Sequence, residues 1–145
     1  MSFKYGLMRI EDYDELYALW QSIPGIGLNK ADEQENIRAY LFHNREQSFL
    51  CKLNGKIIGT IMCGNDSRRA FIYHLAVSPE YRRHGIATKL VRLAINKQKQ
   101  LNIDKCALFI LNENILGKKF WTDMGFSIVH EAGVMVKSIS PYGKK

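Results

Sequence analysis

Arg82-Arg83-His84-Gly85 sits directly after a run of apolar, β-branched and aromatic residues that is closed by Ser78-Pro79. Beyond it, Ile86, Leu90, Leu93, Ala94 and Leu101 recur at helical spacing, which predicts a helix from about Gly85 to about Gln100. A helix N-terminus presents N–H groups with no internal partner and carries roughly half a positive charge. Gly85 and the small Ala87 let an anion approach that backbone, and Arg82 and Arg83 add charge-assisted donors at its rim. The chemistry this pattern suits is the binding of a pyrophosphate. A plain strand-to-helix turn with two solvated arginines is the other reading the residues allow by themselves.

The elements that must position this turn can be taken in chain order. Residues 5–10 read as a first strand, and Glu11, Asp12, Asp14 and Glu15 put acids where a helix start favours them, ahead of an apolar stripe of Leu16, Leu19 and Trp20. After the loop Pro24-Gly25-Ile26-Gly27, a second helix is expected with Asp32 as N-cap and Glu35 three residues on, through Ile37, Tyr40 and Leu41. Residues 48–53 and 56–62 flank Asn54-Gly55, a strong hairpin signal. The loop at 64–69 leads into the strand ending at Val77, where Pro79 stops the ladder. Further on come a strand at 104–111, a helix at about 115–124 closed by Gly125, two strands at 126–129 and 134–136, and a tail at 140–145. This order, βααβββαβαββ, is an α/β arrangement with a mixed sheet.

The chain has 145 residues, 46% of them hydrophobic, which suits one domain spanning residues 1–145. The absence of a long apolar run and of a secretion signal in Met1-Ser2-Phe3-Lys4-Tyr5 points to the cytoplasm and away from a membrane. Cys51, Cys63 and Cys106 lie in strand-like contexts; a two-residue turn sets Cys51 opposite Ile58, so buried thiols are expected and a Cys51–Cys63 bridge is not. His43 and His130 are isolated, and no metal-ligand spacing occurs, so no metal is expected. Of the net charge of +7, residues 1–66 carry −2 and residues 67–145 carry +9. Lys89, Arg92, Lys97 and Lys99 fall on one helix face without interleaved aromatics, a solvated face and not a nucleic-acid surface.

Arg82-x-x-Gly85-x-Ala87 resembles the acyl-CoA signature of the GNAT superfamily of N-acyltransferases. Near the end, Asn114-x-x-Gly117-x-x-Phe120-Trp121-x-x-x-Gly125-Phe126 resembles that family's closing pattern, with Gly117 where alanine is usual. The resemblance runs along nearly the whole chain and implies a single GNAT-like domain, a splayed central mixed β-sheet flanked by about four helices. It implies acetyl-CoA as co-substrate and no metal. Residue by residue, it implies that the backbone of Leu75, Ala76 and Val77 holds the pantetheine and acyl carbonyl. It makes Arg82, Arg83, His84, Gly85, Ile86, Ala87 and Thr88 the pyrophosphate loop, Asn114 a pantetheine ligand, and Phe120 packing beside it.

Acetyl transfer to an amine needs a group that takes the amine proton and one that protonates the leaving sulfur. Family members often place Glu or His four or six residues before the strand's valine; here those positions are Tyr73 and Phe71. Tyrosine ordinarily titrates near ~10 and is a poor base at neutral pH, while Phe71 cannot act. His74 is a suitable residue type, yet strand alternation turns it to the opposite face from Tyr73 unless a bulge re-aims it. Trp121 stands where a thiolate-protonating Tyr is common, and its indole cannot give up a proton. The expectation is transfer by orientation, with a water relaying the proton beside Tyr73 or His74. The acceptor is a primary amine of a small molecule or peptide; the acidic first 66 residues lean toward a cationic one. A non-catalytic acyl-CoA sensor and a basic nucleic-acid-binding domain are the competing classes. A homodimer paired through the final strands is an arrangement the pattern allows.

Overall fold

The computed structural model describes residues 1–140; residues 141–145 of the expected tail lie outside the described residues. Two compact units are present, Met1–Phe109 and the residues from Ile110 on. The first holds β1 (Phe3–Leu7), α1 (Tyr13–Ser22), α2 (Gln34–His43), β2 (Phe49–Leu53), β3 (Lys56–Asn65), β4 (Ala70–Val77), α3 (Ile86–Gln100) and β5 (Cys106–Ala107). Single 3-10 turns lie at Ile10–Asp12, Lys30–Asp32 and Pro79–Tyr81. The strands form one sheet in the order β1-β2-β3-β4-β5, antiparallel throughout except for the parallel β4–β5 pair. This is the mixed-sheet α/β fold that the element order predicts.

The Asn54-Gly55 turn forms as expected, both residues taking left-handed backbone (φ 53° and 79°), which matches the twist of the flanking strands. A bulge between Cys51 and Lys52 moves the register by one, so Cys51 faces Gly59 and not Ile58. The first strand lies two residues earlier than its pattern suggests, because pairing with β2 fixes it: Tyr5 sits opposite Cys51. Asp32 does not cap α2. It closes the preceding turn, where Asn29 and Asp32 bond each other's backbone, and Glu33 precedes α2 with no side-chain cap.

One sheet face packs Leu50, Ile57, Met62 and Ala76 against Leu16 and Trp20 of α1 and Ile37 of α2. Burying each Leu, Ile or Met among them is worth roughly 1.5–3 kcal/mol. The other face carries α3, which comes so close that a Cβ on Gly59 would lie 2.9 Å from Ile86 Cγ2. At the far end of α3, Gln98 joins Gln47 and Asn65 in a buried amide cluster and donates to Cys63 Sγ. All three cysteines are free thiols. The neighbouring Cys106 thiol and burial push Cys63 up, and Cys63 in turn holds Cys106 down.

In the second unit α4 (Ile115–Asp123) is the one regular element among the described residues, and none of residues 110–140 is buried. The strand expected over 104–111 contracts to Cys106–Ala107, and residues 126–129 and 134–136 form no strands. Alternating apolar residues make a ladder only where a partner strand accepts their hydrogen bonds, and here none does. The dimer edge expected from those strands therefore has no strand to supply it.

Candidate active site

β4 is the axis of the site. Thr60 lies opposite Ala76 and Met62 opposite Tyr73, so two steps on β3 match three on β4. The additional residue falls at His74–Leu75, and His74 adopts a left-handed φ of 48°. This bulge changes the parity of the strand. Phe71 and Tyr73 stack on one face (centroids 6.0 Å apart), and His74 and Ala76 then lie on that same face, against Trp20 and the α1 core. The two residues that strict alternation would separate are thus brought to one side.

The bulge is held by a buried network. His74 Nε2 is 2.6 Å from Asp32 Oδ1, with side chains only 13% and 8% exposed, and the imidazole lies 4.7 Å from the Trp20 ring. Trp20 Nε1 donates to Thr60 Oγ1 (3.0 Å), and that hydroxyl donates to the His74 carbonyl (2.9 Å). The other Asp32 oxygen accepts from Asn29 N, and the Tyr13 hydroxyl donates to the Asp32 carbonyl. Leaving the buried Trp20–Thr60 bond unmade would cost about 1–3 kcal/mol. Sequence reasoning missed Asp32, Thr60 and Trp20 in this role. The Asn29-x-x-Asp32 spacing is itself a capping-box signal and could have located the turn.

At the C-terminal end of β4 the chain makes the expected strand-turn-helix. Arg83 and Gly85 both take left-handed backbone (φ 68° and 76°), and Gly85 is the N-cap of α3 with no side chain bonded to the helix end. A Cβ on Gly85 would meet nothing within 4 Å, so the chain is open at the residue that starts α3, whose first N–H groups have no partner within the helix. Arg82 and Arg83 are exposed beside it, Arg82 Nε reaching back to the Val77 carbonyl, while the His84 ring packs against Phe3. A helix start with unpartnered N–H groups and two exposed arginines in the turn before it is a donor set that fits a pyrophosphate. Between turn and bulge run Leu75, Ala76 and Val77. β5 pairs with β4 only at Ala70↔Cys106 and Phe71↔Ala107, so β4 is not bonded to β5 along these residues.

The N-terminal end of β4 borders a cavity of about 170 Å³ lined by Tyr40, Asn44, Gly64, Asn65, Asp66, Arg69, Phe71 and Tyr73. Tyr40 meets Tyr73 edge-on (6.3 Å, 85°), and its buried hydroxyl has no hydrogen-bond partner. Burial raises the Tyr73 and Tyr40 phenols, Tyr40 also under the influence of Cys63 and Tyr73. Both stay protonated at neutral pH, so neither is a base. Asp66 Oδ1 accepts from the backbone of Arg68 and Arg69, which holds its carboxyl below the usual range and fixes the turn into β4.

The second unit explains its own motif. Asn114 Oδ1 accepts from Gly117 N (2.9 Å) and so caps α4; a Cβ on residue 117 would lie 2.3 Å from the Asn114 amide, which accounts for glycine there. At the other end Gly125 N donates to Thr122 O and Phe126 N to Trp121 O, with Gly125 at φ 98°. That is a Schellman closure, and its hydrophobic contact is the Trp121–Phe126 ring pair at 5.0 Å. Phe120 packs edge-on against Trp121. Trp121 thus serves helix termination.

The profile of the Acetyltransferase (GNAT) family matches residues 13–126. The chain is 30% identical over 112 residues to Acetyltransferase plu1384 of Photorhabdus laumondii, covering 74% of this chain and 75% of that one. Among solved structures it is similar in fold to the PaiA N-acetyltransferase of Thermoplasma acidophilum in complex with coenzyme A (TM-score 0.78, 19% identity, 92% and 94% of the two chains). A predicted acetyltransferase of Clostridium acetobutylicum with acetyl-CoA is similar too (TM-score 0.75, 20% identity, 93% and 96%). With the profile spanning most of its length and carrying the cradle, the chain belongs to the GNAT family of acetyltransferases.

Proposed function

We propose that this protein transfers an acetyl group from acetyl-CoA directly to a primary amine. The observation that carries the reading is the open start of α3, with Gly85 in left-handed backbone and Arg82 and Arg83 beside it, at the end of a strand released from β5 after Phe71. In this reading Arg82, Arg83, His84, Gly85, Ile86, Ala87 and Thr88 hold the pyrophosphate. The backbone of Leu75, Ala76 and Val77 binds the pantetheine and polarises the acyl carbonyl. Asn114, whose Oδ1 caps α4, has its amide N–H groups to offer the pantetheine arm, beside Phe120. Acetyl-CoA supplies the thioester; the amine nitrogen bonds the acetyl carbon, the C–S bond breaks, and sulfur leaves with the electron pair.

The amine proton leaves through water. Tyr73, a protonated phenol 38% exposed at the cavity, orients that water and the amine. His74 anchors the bulge through Asp32, with Nδ1 as the ring nitrogen not bonded to that carboxylate. The test is thiol release from acetyl-CoA with a panel of primary amines, with mass spectrometry of the acetylated product, for wild type, Tyr73→Phe and His74→Ala. Turnover that falls several-fold in Tyr73→Phe, and falls together with thermal stability in His74→Ala, supports this assignment. Acetyl-CoA binding without turnover of any amine would leave the acyl-CoA sensor as the reading.

A further inference from the structure

The cavity at the N-terminal end of β4 has the features of a subsite, and the cradle at the other end does not account for them. Gly64 lines it, and a Cβ there would lie 2.5 Å from the Asn44 side chain and 2.7 Å from the Tyr40 hydroxyl, so any other residue would displace these two lining side chains. Its walls are the mutually packed rings of Tyr40, Tyr73 and Phe71. The Tyr40 hydroxyl is buried behind its ring without a partner, a state that costs about 1–3 kcal/mol. About 170 Å³ is the space of a single aromatic ring, since cavities near ~150 Å³ hold benzene.

The charge at the mouth gives the chemistry. Asp66 and Arg69 both line the cavity; Asp66 is engaged by the backbone N–H groups of Arg68 and Arg69 and lies under the influence of the Arg68 charge, whereas among the described residues Arg69 forms no ion pair. Arg69 lines the cavity four residues before Tyr73, roughly 13 Å of strand at ~3.3 Å per residue, a gap that the long arginine side chain shortens. A planar guanidinium without a partner is suited to a carboxylate.

We propose that this cavity is the acceptor subsite, and that the acceptor is a primary amine carrying a ring-sized apolar body and, at its far end, a carboxylate held by Arg69. The rings of Tyr40 and Phe71 flank that body, and Tyr73 sits where the amine meets the thioester. This rests on the acetyl-transfer reading and is an alternative to the cationic acceptor that the acidic first 66 residues favour.

Three probes share a ring and a reacting amine and differ only at the far end: 4-(aminomethyl)benzoate, benzylamine and 1,4-bis(aminomethyl)benzene. In wild type, kcat/KM for the carboxylate probe should exceed the other two by at least ~10-fold. Arg69→Met should reduce the ratio of carboxylate probe to benzylamine by about the same factor, with partial recovery in Arg69→Lys. Gly64→Ala, checked for folding by its melting temperature, should lower turnover of all three and leave acetyl-CoA affinity at the wild-type value. A preference for the diamine, or a ratio unmoved by Arg69→Met, overturns the assignment. If acetyl-CoA binds but no amine turns over, saturation-transfer NMR of 4-(aminomethyl)benzoate decides. Binding that Gly64→Ala and Arg69→Met abolish upholds the subsite and discards acetyl transfer, and no binding overturns the subsite.

Discussion

The two ends of β4 are built by different means. The C-terminal end is made of backbone: a left-handed glycine, a helix start and a strand edge, with arginines as rim. The N-terminal end is made of side chains from α2, β3 and the turn at Asp66, which meet only because the fold brings them together. A backbone site is local in sequence and tolerates change in its neighbours. A side-chain site depends on register, on one lining glycine and on the bulge between the two ends.

The sharpest break in this contrast is Gly85→Glu. It introduces both negative charge and a left-handed non-glycine residue, and acetyl-CoA affinity measured by calorimetry should fall by at least ~100-fold, near 3 kcal/mol. Gly85→Ala brings only the backbone strain, about 1 kcal/mol, and should cost far less affinity. A loss in Gly85→Ala equal to that in Gly85→Glu would mean that the site is not electrostatic.

Thr60→Val tests the joint between the ends. It removes the hydroxyl that receives the Trp20 N–H and satisfies the His74 carbonyl, so urea unfolding should show a loss of about 1–3 kcal/mol. Acetyl transfer should fall more than acetyl-CoA binding, because the bulge sets Tyr73 and not the cradle.

Tyr40→Phe should raise stability and leave turnover close to wild type. Removing an orphaned buried hydroxyl should raise the unfolding free energy by about 1 kcal/mol, while the ring that lines the cavity is kept. The same residue sets part of the alkaline limit. Burial holds Tyr40 and Tyr73 above the ordinary phenol value and pushes Tyr5 up to about 12, so the folded chain keeps protons that the unfolded chain releases. Their contribution is intact below pH ~10 and is lost as pH rises through the folded values. Melting temperatures from pH 9 to 11.5 should decline less steeply in Tyr40→Phe.

The smallest effect is expected at Asn114→Ala, a lost N-cap worth about 1 kcal/mol. A rise in KM for acetyl-CoA beyond that stability loss would show that the Asn114 amide also binds the pantetheine arm.

The same division explains what could be read from the residues alone. The α3 start and its glycine follow from contiguous spacing, as do the Asn54-Gly55 hairpin and the Gly125 helix stop. The His74 bulge did not follow, because nothing in Phe71-Ile72-Tyr73-His74-Leu75 marks where the strand takes on an additional residue; the register against β3 decides that. Asp32 looked like a helix cap because its local pattern is one, and its bond to His74 crosses 42 residues. Tyr40 and Gly64 carry no local signal of a cavity. The apolar residues at 126–129 and 134–136 have strand composition without the ladder that makes a strand.

Pairing of β4 with β5 at only two positions leaves an unfinished ladder, and an unfinished ladder attracts other peptides as readily as a cofactor. If acetyl-CoA lies along β4 as proposed, the ligand-free protein should be the aggregation-prone form, its amides at residues 72–77 exchanging faster with deuterium. Saturating ligand, by sealing that seam, would then act as a folding chaperone for the sheet.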